Sequence, residues 1–576
     1  MKINEKFTVF LSSQKNYTDA VIYCILALFT ILRIGLYLRT PLFVAPSQVS
    51  DDALLMDHAF SILDGNWLGV YDCQTLTKGI SYSLFIALCN KIFIPYSFGL
   101  ALLSIGACFA MCKALAPAVN RYFCFILYLL LLYSPVHFTV LISQRIYRNA
   151  ILPYTTLLLF ACITAIFIRR KERFFHLLPW ALTGGLTLWF FWNIKEDSFW
   201  ILSFIIVIEL ISLADILLHN KKTLLPLFCA IAVPFIILIA GNGILRGINR
   251  AYYGMAIIND REEGSFSEMM TSIYSIADDT EHDSSVWITT NMMDMAYEAS
   301  PTLSLLRDDM SESTDLDDNS EEVEGDLLIW KLRYVMQQNG YFDTAAKASD
   351  FCAKVNNELN EAFADGRLQK DGKIHLSGQM KGMSLNEIFA EIPDACIRLY
   401  NKSIYHDSYV DENVQGSGFP WQIRQYEAVL GTLAEYPDSD AFSIDPEIKR
   451  AHDPAFFSNK IVMLYRHLAV PTDIIAAICY IILSVMTVSA LKKKQSADIW
   501  LIITGFTLSA FLVSFEVGLF TSFFSEELLT NFESFYCASC YLLIQVAKYL
   551  VIYAASCCIL KARHEQSKKV SVHSRI

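Results

Sequence analysis

Apolar positions along the chain gather into long unbroken runs, with polar residues confined to the gaps between them. Ten runs of bilayer-spanning length fall near residues 20–38, 96–115, 121–140, 150–168, 175–193, 199–217, 224–242, 468–490, 498–520 and 537–560. The gap after the first run reads differently. Within residues 50–91, Leu54, Leu55, Ala59, Ile62 and Leu63 share one helical face, with Asp57, His58 and Ser61 elsewhere, which predicts a helix lying in the membrane interface. A Gly-Asn-Trp-Leu-Gly turn at 65–69 and the dipeptide Lys78-Gly79 lead into a second run, Ser81 to Ile94. That run is short and is interrupted by Asn90 and Lys91, so its length leaves open whether it crosses or lies flat.

Charge decides between the two. If Ser81–Ile94 does not cross, the basic segments all share one side: Lys2, Lys6 and Lys15; Lys113 to Arg121; Arg169, Arg170, Lys171 and Arg173; Lys221 and Lys222; Lys492 to Lys494; and the tail from Lys561 to Arg575. The positive-inside rule then makes that side cytoplasmic, with both termini on it. If the run does cross, every later basic cluster lands outside. The expectation is therefore two interfacial helices in the first outer loop, and a plasma membrane as the host bilayer.

Composition adds a domain division. Residues 243–467 hold 39 acids and 19 bases, a balance of −20, against +8 for the rest of the chain. They contain no bilayer-length apolar run. Three parts are expected: residues 1–242, a membrane module carrying the first loop; 243–467, an acidic, mostly helical extracytoplasmic domain; and 468–576, further membrane helices with a basic cytoplasmic tail. The acidic run 307–326 reads as a mobile loop. Of the 15 cysteines most lie in apolar runs; Cys352 and Cys396 stand in the acidic domain, where one disulfide is possible but not implied. The first apolar run lacks a small-residue cleavage site and reads as a retained helix, not a signal peptide.

With this topology the polar loops of mixed chemistry converge on one face. They are Asp51 and Asp52, Lys78, the loop SQRIYRN with Arg145 and Arg148, and the loop carrying Lys195, Glu196 and Asp197. A carboxylate at the mouth of a membrane suits a general base, and nearby lysine or arginine suits a phosphate leaving group. Acids and bases in a loop also serve simply to keep it wet.

The order of an acidic pair opening an amphipathic helix, a Gly-x-Trp-Leu turn, a Lys-Gly dipeptide and a second amphipathic helix resembles the first outer loop of GT-C glycosyltransferases. The layout is similar to that of protein O-mannosyltransferases and lipid A aminoarabinose transferases. The resemblance covers roughly residues 20–240. It implies a GT-C-like helix bundle that takes a sugar from a polyprenyl-phosphate donor to a cell-envelope glycan, lipid or protein acceptor. Asp51 or Asp52 would be the base, Lys78 the phosphate contact, and no cofactor or obligatory metal would be needed. One departure stands out: such relatives carry a second acid after the third span, where this chain has Arg145 and Arg148. Those arginines suit phosphate, and Lys195, Glu196 and Asp197 suit sugar or acceptor, although all five would also serve as interfacial snorkelling residues.

Other candidates are weaker. His58 reads as a surface histidine, and Glu516 and Lys548, both inside apolar runs, as a structural ion pair. Tyr252, Tyr253 and Trp421 read as packing or interface aromatics, and Asn401-Lys402-Ser403 as a chance glycosylation match. No nucleotide or nucleic-acid motif is present. The rival to an enzyme is a transporter, scramblase or assembly protein for lipid-linked glycans, for which charges at the bilayer midplane would be expected.

Overall fold

The computed structural model describes the chain except for residues 1, 47–50, 281, 284, 313–323, 376–377, 405–409, 412–413, 438–452, 493–496, 522–534 and 574–576. Among the described residues it is helical, with isolated bridges in place of strands.

Among the described residues, nine stretches are long and apolar enough to cross a membrane. They belong to α1 (Lys2–Arg39), α4 (Tyr96–Leu115), α5 (Arg121–Leu132), α7 (Phe174–Trp192), α8 (Ile201–His219), α9 (Leu224–Tyr253), α17 (Asp453–Lys492), α18 (Asp498–Thr521) and α19 (Cys540–His573). The tenth expected run is α6 (Leu152–Ile168), apolar but only 17 residues long. It is apolar all round and buried along nearly its whole length at the bundle centre. Its shortness follows from the preceding segment, which leaves the helix after Leu132 and runs through short 3₁₀ and π turns from Pro135 to Ala150. The fold is that of a polytopic α-helical membrane protein.

The first loop folds as expected into two short helices, α2 (Asp51–Leu63) and α3 (Ser81–Lys91). They pack on each other, and Ser83 donates to the Leu55 carbonyl at 2.7 Å. The turn between them uses left-handed backbone at Gly65, Trp67 and Gly69 (φ 55–90°). Three residues at the end of α9 hold this turn: Asn249 accepts from the Trp67 indole at 2.7 Å, and the Tyr252 and Tyr253 hydroxyls donate to the Gly65 and Gly69 carbonyls. The two tyrosines thus do more than pack.

The basic clusters meet at the opposite ends of the same helices. Arg169 donates to the carbonyls of Lys113 and Ala114, and Arg170 pairs with Asp215 and Asp498.

Helices α9 and α17 run straight through the divisions drawn at 243 and 467, so the part between them continues from both as unbroken helix. It comprises α10 (Ser265–Tyr274), α11 (Thr290–Ala299), α12 (Arg307–Glu312), α13 (Leu327–Gln338) and α14 (Ala345–Ala364), around a core that includes Met269, Ile273, Met336, Phe342 and Leu359. The acidic run expected as a loop opens with α12, and its residues 313–323 lie outside the described set. This domain is clamped to the first loop. Arg333 is fully buried, pairing with Asp260 at 2.7 Å and donating to the Cys73 carbonyl at 2.6 Å, while Gln337 accepts from the Cys73 amide.

Two further helices follow. The polar face of α15 (Leu385–Ile404) lies along α18, where Arg398 donates to the Ser514 carbonyl at 2.8 Å. Its other face exposes Phe389, Ile392, Ile397 and Tyr400. α16 (Pro420–Leu430) packs on α3, and Asn90 donates to the Val429 carbonyl. The inner end of α15 corrects one expectation: Lys548 pairs with Asp473, not with Glu516, and also donates to the Ser403 carbonyl, while Ser403 donates to Asp473 at 2.9 Å. Ser403 is therefore sequestered among helices, which removes the Asn401 acceptor reading. Cys352 and Cys396 are free thiols, the first buried and the second exposed.

Candidate active site

Three loops reach the site from different helix ends. Asp51 and Asp52 open α2, where carboxylates are favoured by the exposed amides and dipole of a helix N-terminus. Lys78 precedes Gly79, whose backbone presses on the loop after α7: a β-carbon there would stand 2.4 Å from the Asn193 carbonyl oxygen. Only glycine allows that approach, and the Ser81 amide donates to the same oxygen at 2.9 Å. Arg145 and Arg148 come from the irregular segment ahead of α6, tied down by bridging of Phe43 to Arg145.

The adjacent aspartates part company. Asp52 turns inward, buried, and accepts two hydrogen bonds from Arg145, at 2.7 and 2.5 Å. Asp51 turns into a cavity of about 410 Å³. It meets Lys78 at 2.8 Å, accepts from the Tyr147 hydroxyl at 2.8 Å and lies 3.8 Å from Arg148. Arg148 donates to both oxygens of Glu196 at 2.8 Å, and Lys195 pairs with Asp197 at 2.7 Å. Of the eight residues singled out in the sequence, six line this cavity; Asp52 and Arg145 form its supporting pair instead.

Burial by itself would raise the Asp51 carboxyl, but Lys78 and Arg148 outweigh it and hold Asp51 well below the usual carboxylate range. Glu196 is drawn down to about 2 in the same way, burial being outweighed by Arg148 and Lys78. Burial also pulls Lys78 below the ordinary lysine value, with Asp51 opposing. The cluster is a set of ions held charged by one another.

The 243–467 domain adds lining residues that sequence reasoning missed. Arg261 is buried and pairs with Asp326 at 2.8 Å; the Trp330 ring lies between it and Lys78, with cation-to-centroid distances of 4.9 and 5.4 Å. Gln379 and Met380 line the same wall. Opposite them stand Phe199, Glu516, Val517, Phe520 and Tyr536 from the helical bundle, the last under the Lys195 ammonium at 5.0 Å. No local pattern marks Arg261 or Trp330, because their place depends on how the domain docks. Four cations, each paired with a carboxylate that a ligand could replace, stand beside apolar and aromatic side chains, a lining that suits an anionic group carried on an apolar body.

His58 is not a surface residue. It is 2% exposed, and neither ring nitrogen has a hydrogen-bond partner. Trp421 is exposed at the start of α16. Among the described residues no cluster of three metal-ligating side chains occurs.

Comparison with protein families and with curated proteins gives no match. Among solved structures, the chain is similar to the crystal structure of ArnT from Cupriavidus metallidurans in the apo state, at 9% identity over 94% of this chain and 78% of that one, with a TM-score of 0.32. A likeness this distant does not enter the functional argument below.

Proposed function

We propose that the protein is a GT-C-type membrane glycosyltransferase, transferring a sugar from a polyprenyl-phosphate donor to a cell-envelope acceptor at the extracytoplasmic face of the plasma membrane. The observation that supports this reading is the Asp51 carboxylate set between Lys78 and Arg148 in a cavity lined both by the loops of the membrane helices and by the 243–467 domain. The donor phosphate would take Lys78 and Arg148 as its partners, displacing Asp51 from both. Asp51 then loses the charges that keep it acidic, and burial raises its basicity when a base is needed. In the transfer, the acceptor hydroxyl gives its proton to Asp51 while its oxygen bonds to the anomeric carbon. The bond from that carbon to the phosphate oxygen breaks, and its electron pair leaves on the lipid phosphate, stabilised by Lys78 and Arg148. Asp52 and Arg145 hold the start of α2 in place. Glu196 and Asp197 keep Arg148 and Lys195 aimed at the cavity, and the basic helix ends, with both termini, face the cytoplasm.

The test is turnover of a radiolabelled polyprenyl-phosphate sugar by the purified protein beside Asp51→Asn and Lys78→Ala. Donor consumption by the wild type and its loss in both variants is expected. Absence of donor binding by the wild type would discard the enzyme reading in favour of a transporter or scaffold.

A further inference from the structure

Charge around the cavity does not balance. Each lining cation is committed to a lining acid: Lys78 to Asp51, Arg148 to Glu196, Lys195 to Asp197 and Arg261 to Asp326, all at 2.7–2.8 Å. Two lining acids remain, Glu324 and Glu516. Glu324 is exposed at the rim, where water satisfies it. Glu516 is half-buried near the outer end of α18, between the apolar Val517 and the helix turn below, and among the described residues its carboxylate forms no hydrogen bond or ion pair. The two cations that would answer it are engaged elsewhere: Lys548 belongs to Asp473 and Ser403 deeper in the bundle, and Lys195 to Asp197.

An ionisable group kept in an apolar span without a protein partner is costly, and such groups mark ligand positions. A donor phosphate finds its cationic partners on the Lys78 and Arg148 wall rather than at Glu516. The carboxylate is instead complementary to a hydrogen-bond donor.

We propose that Glu516 receives the acceptor, its carboxylate taking a hydrogen bond from the acceptor's hydroxyl-bearing head and orienting it toward the donor held at Lys78 and Arg148. The inference rests on the glycosyltransferase reading of the same cavity and gives that cavity two sides. The cationic wall takes the leaving phosphate, and the α18 wall takes the attacking molecule. Such a hydroxyl comes either from a membrane lipid or from a water-borne glycan, and the chemistry at Glu516 is the same for both.

The test uses full-length protein in nanodiscs, radiolabelled polyprenyl-phosphate sugar as donor, and as acceptor probe a cell-envelope extract divided into its chloroform-soluble lipid phase and its aqueous glycan phase. Glu516→Ala and Glu516→Gln are compared with the wild type. Expected is an apparent KM for one of the two phases raised at least tenfold in Glu516→Ala, partly restored in Glu516→Gln, which keeps an acceptor oxygen, with donor Kd unchanged in both. The phase that responds identifies the source. An unchanged KM for both phases in Glu516→Ala, beside a wild type that transfers sugar, overturns the inference alone. A wild type that transfers to neither phase overturns the glycosyltransferase reading and the inference together. Weakened donor binding in both variants would make Glu516 a structural support and equally overturn it.

Discussion

Lys78, just ahead of α3, and Asp51, at the start of α2, meet at 2.8 Å on the wall of the cavity, whereas Asp52, the neighbour of Asp51, faces away to Arg145. On the glycosyltransferase reading proposed above, that divergence assigns Asp51 to chemistry and Asp52 to support. Asp51→Asn is expected to lower transfer by about 10²–10⁴-fold, the range for loss of a general base, with the melting temperature little changed. Asp52→Asn leaves Arg145 short of its buried partner, and breaking such a pair costs about 3–5 kcal/mol. It should show first as a lowered melting temperature, measured by thermal unfolding in detergent, and equal melting of the two variants would contradict the assignment.

Lys78 and Arg148 should act on donor affinity. A hydrogen bond to a charged group is worth about 1.5–3 kcal/mol, so Lys78→Ala is expected to raise donor Kd by roughly 10–100-fold. Lys78→Arg keeps the charge and should recover part of the loss. Equilibrium binding of a fluorescent polyprenyl phosphate reads both.

Gly79 should tolerate no side chain. Its β-carbon would overlap the Asn193 carbonyl at 2.4 Å, and backbone atoms have little room to yield. Gly79→Ala is expected to cost about 1–3 kcal/mol, as overpacking does, and to lower activity by shifting Lys78. An alanine variant with wild-type melting and turnover would show that the two loops are not pressed together.

His58 gives the protein an acid-sensitive point outside the membrane. Burial, opposed by Asp72, depresses the imidazole to about 4, below the unfolded value of about 6.5. Between those values the unfolded chain binds the extra proton, so stability is full above about pH 6.5 and falls as pH drops toward about 4. His58→Leu should flatten that part of the profile in melting experiments run from pH 7.5 to 4. If the slope persists unchanged in the variant, the acid sensitivity has another origin.

The Lys548 and Asp473 pair should anchor the inner end of α15. Lys548→Met strands the Asp473 carboxylate in the bundle and is expected to destabilise by about 3–5 kcal/mol. The double variant Lys548→Met/Asp473→Leu should recover most of it. Protease sensitivity within residues 385–404, compared across the three proteins, checks this, and a double variant no better than the single would count against the pairing.

What the chain declares locally it declares well. The ten apolar runs, the two short helices of the first loop and the separation of basic ends from mixed-charge ends follow from hydropathy and charge order, because a bilayer sorts residues by position along the chain. Lys78, Arg148 and the 195–197 loop could be named beforehand for the same reason: parity alone put them on one face. Which aspartate enters the cavity could not be read, since adjacent residues on a helix point about 100° apart and only the packing of α2 sets the rotation. Nor could the partner of Lys548, the burial of His58, or the arrival of Arg261 and Trp330, contributed by a domain nearly two hundred residues downstream of the first loop. Charge pairing in the interior depends on distances of a few ångströms between segments remote in sequence, and those distances exist only once the helices have docked.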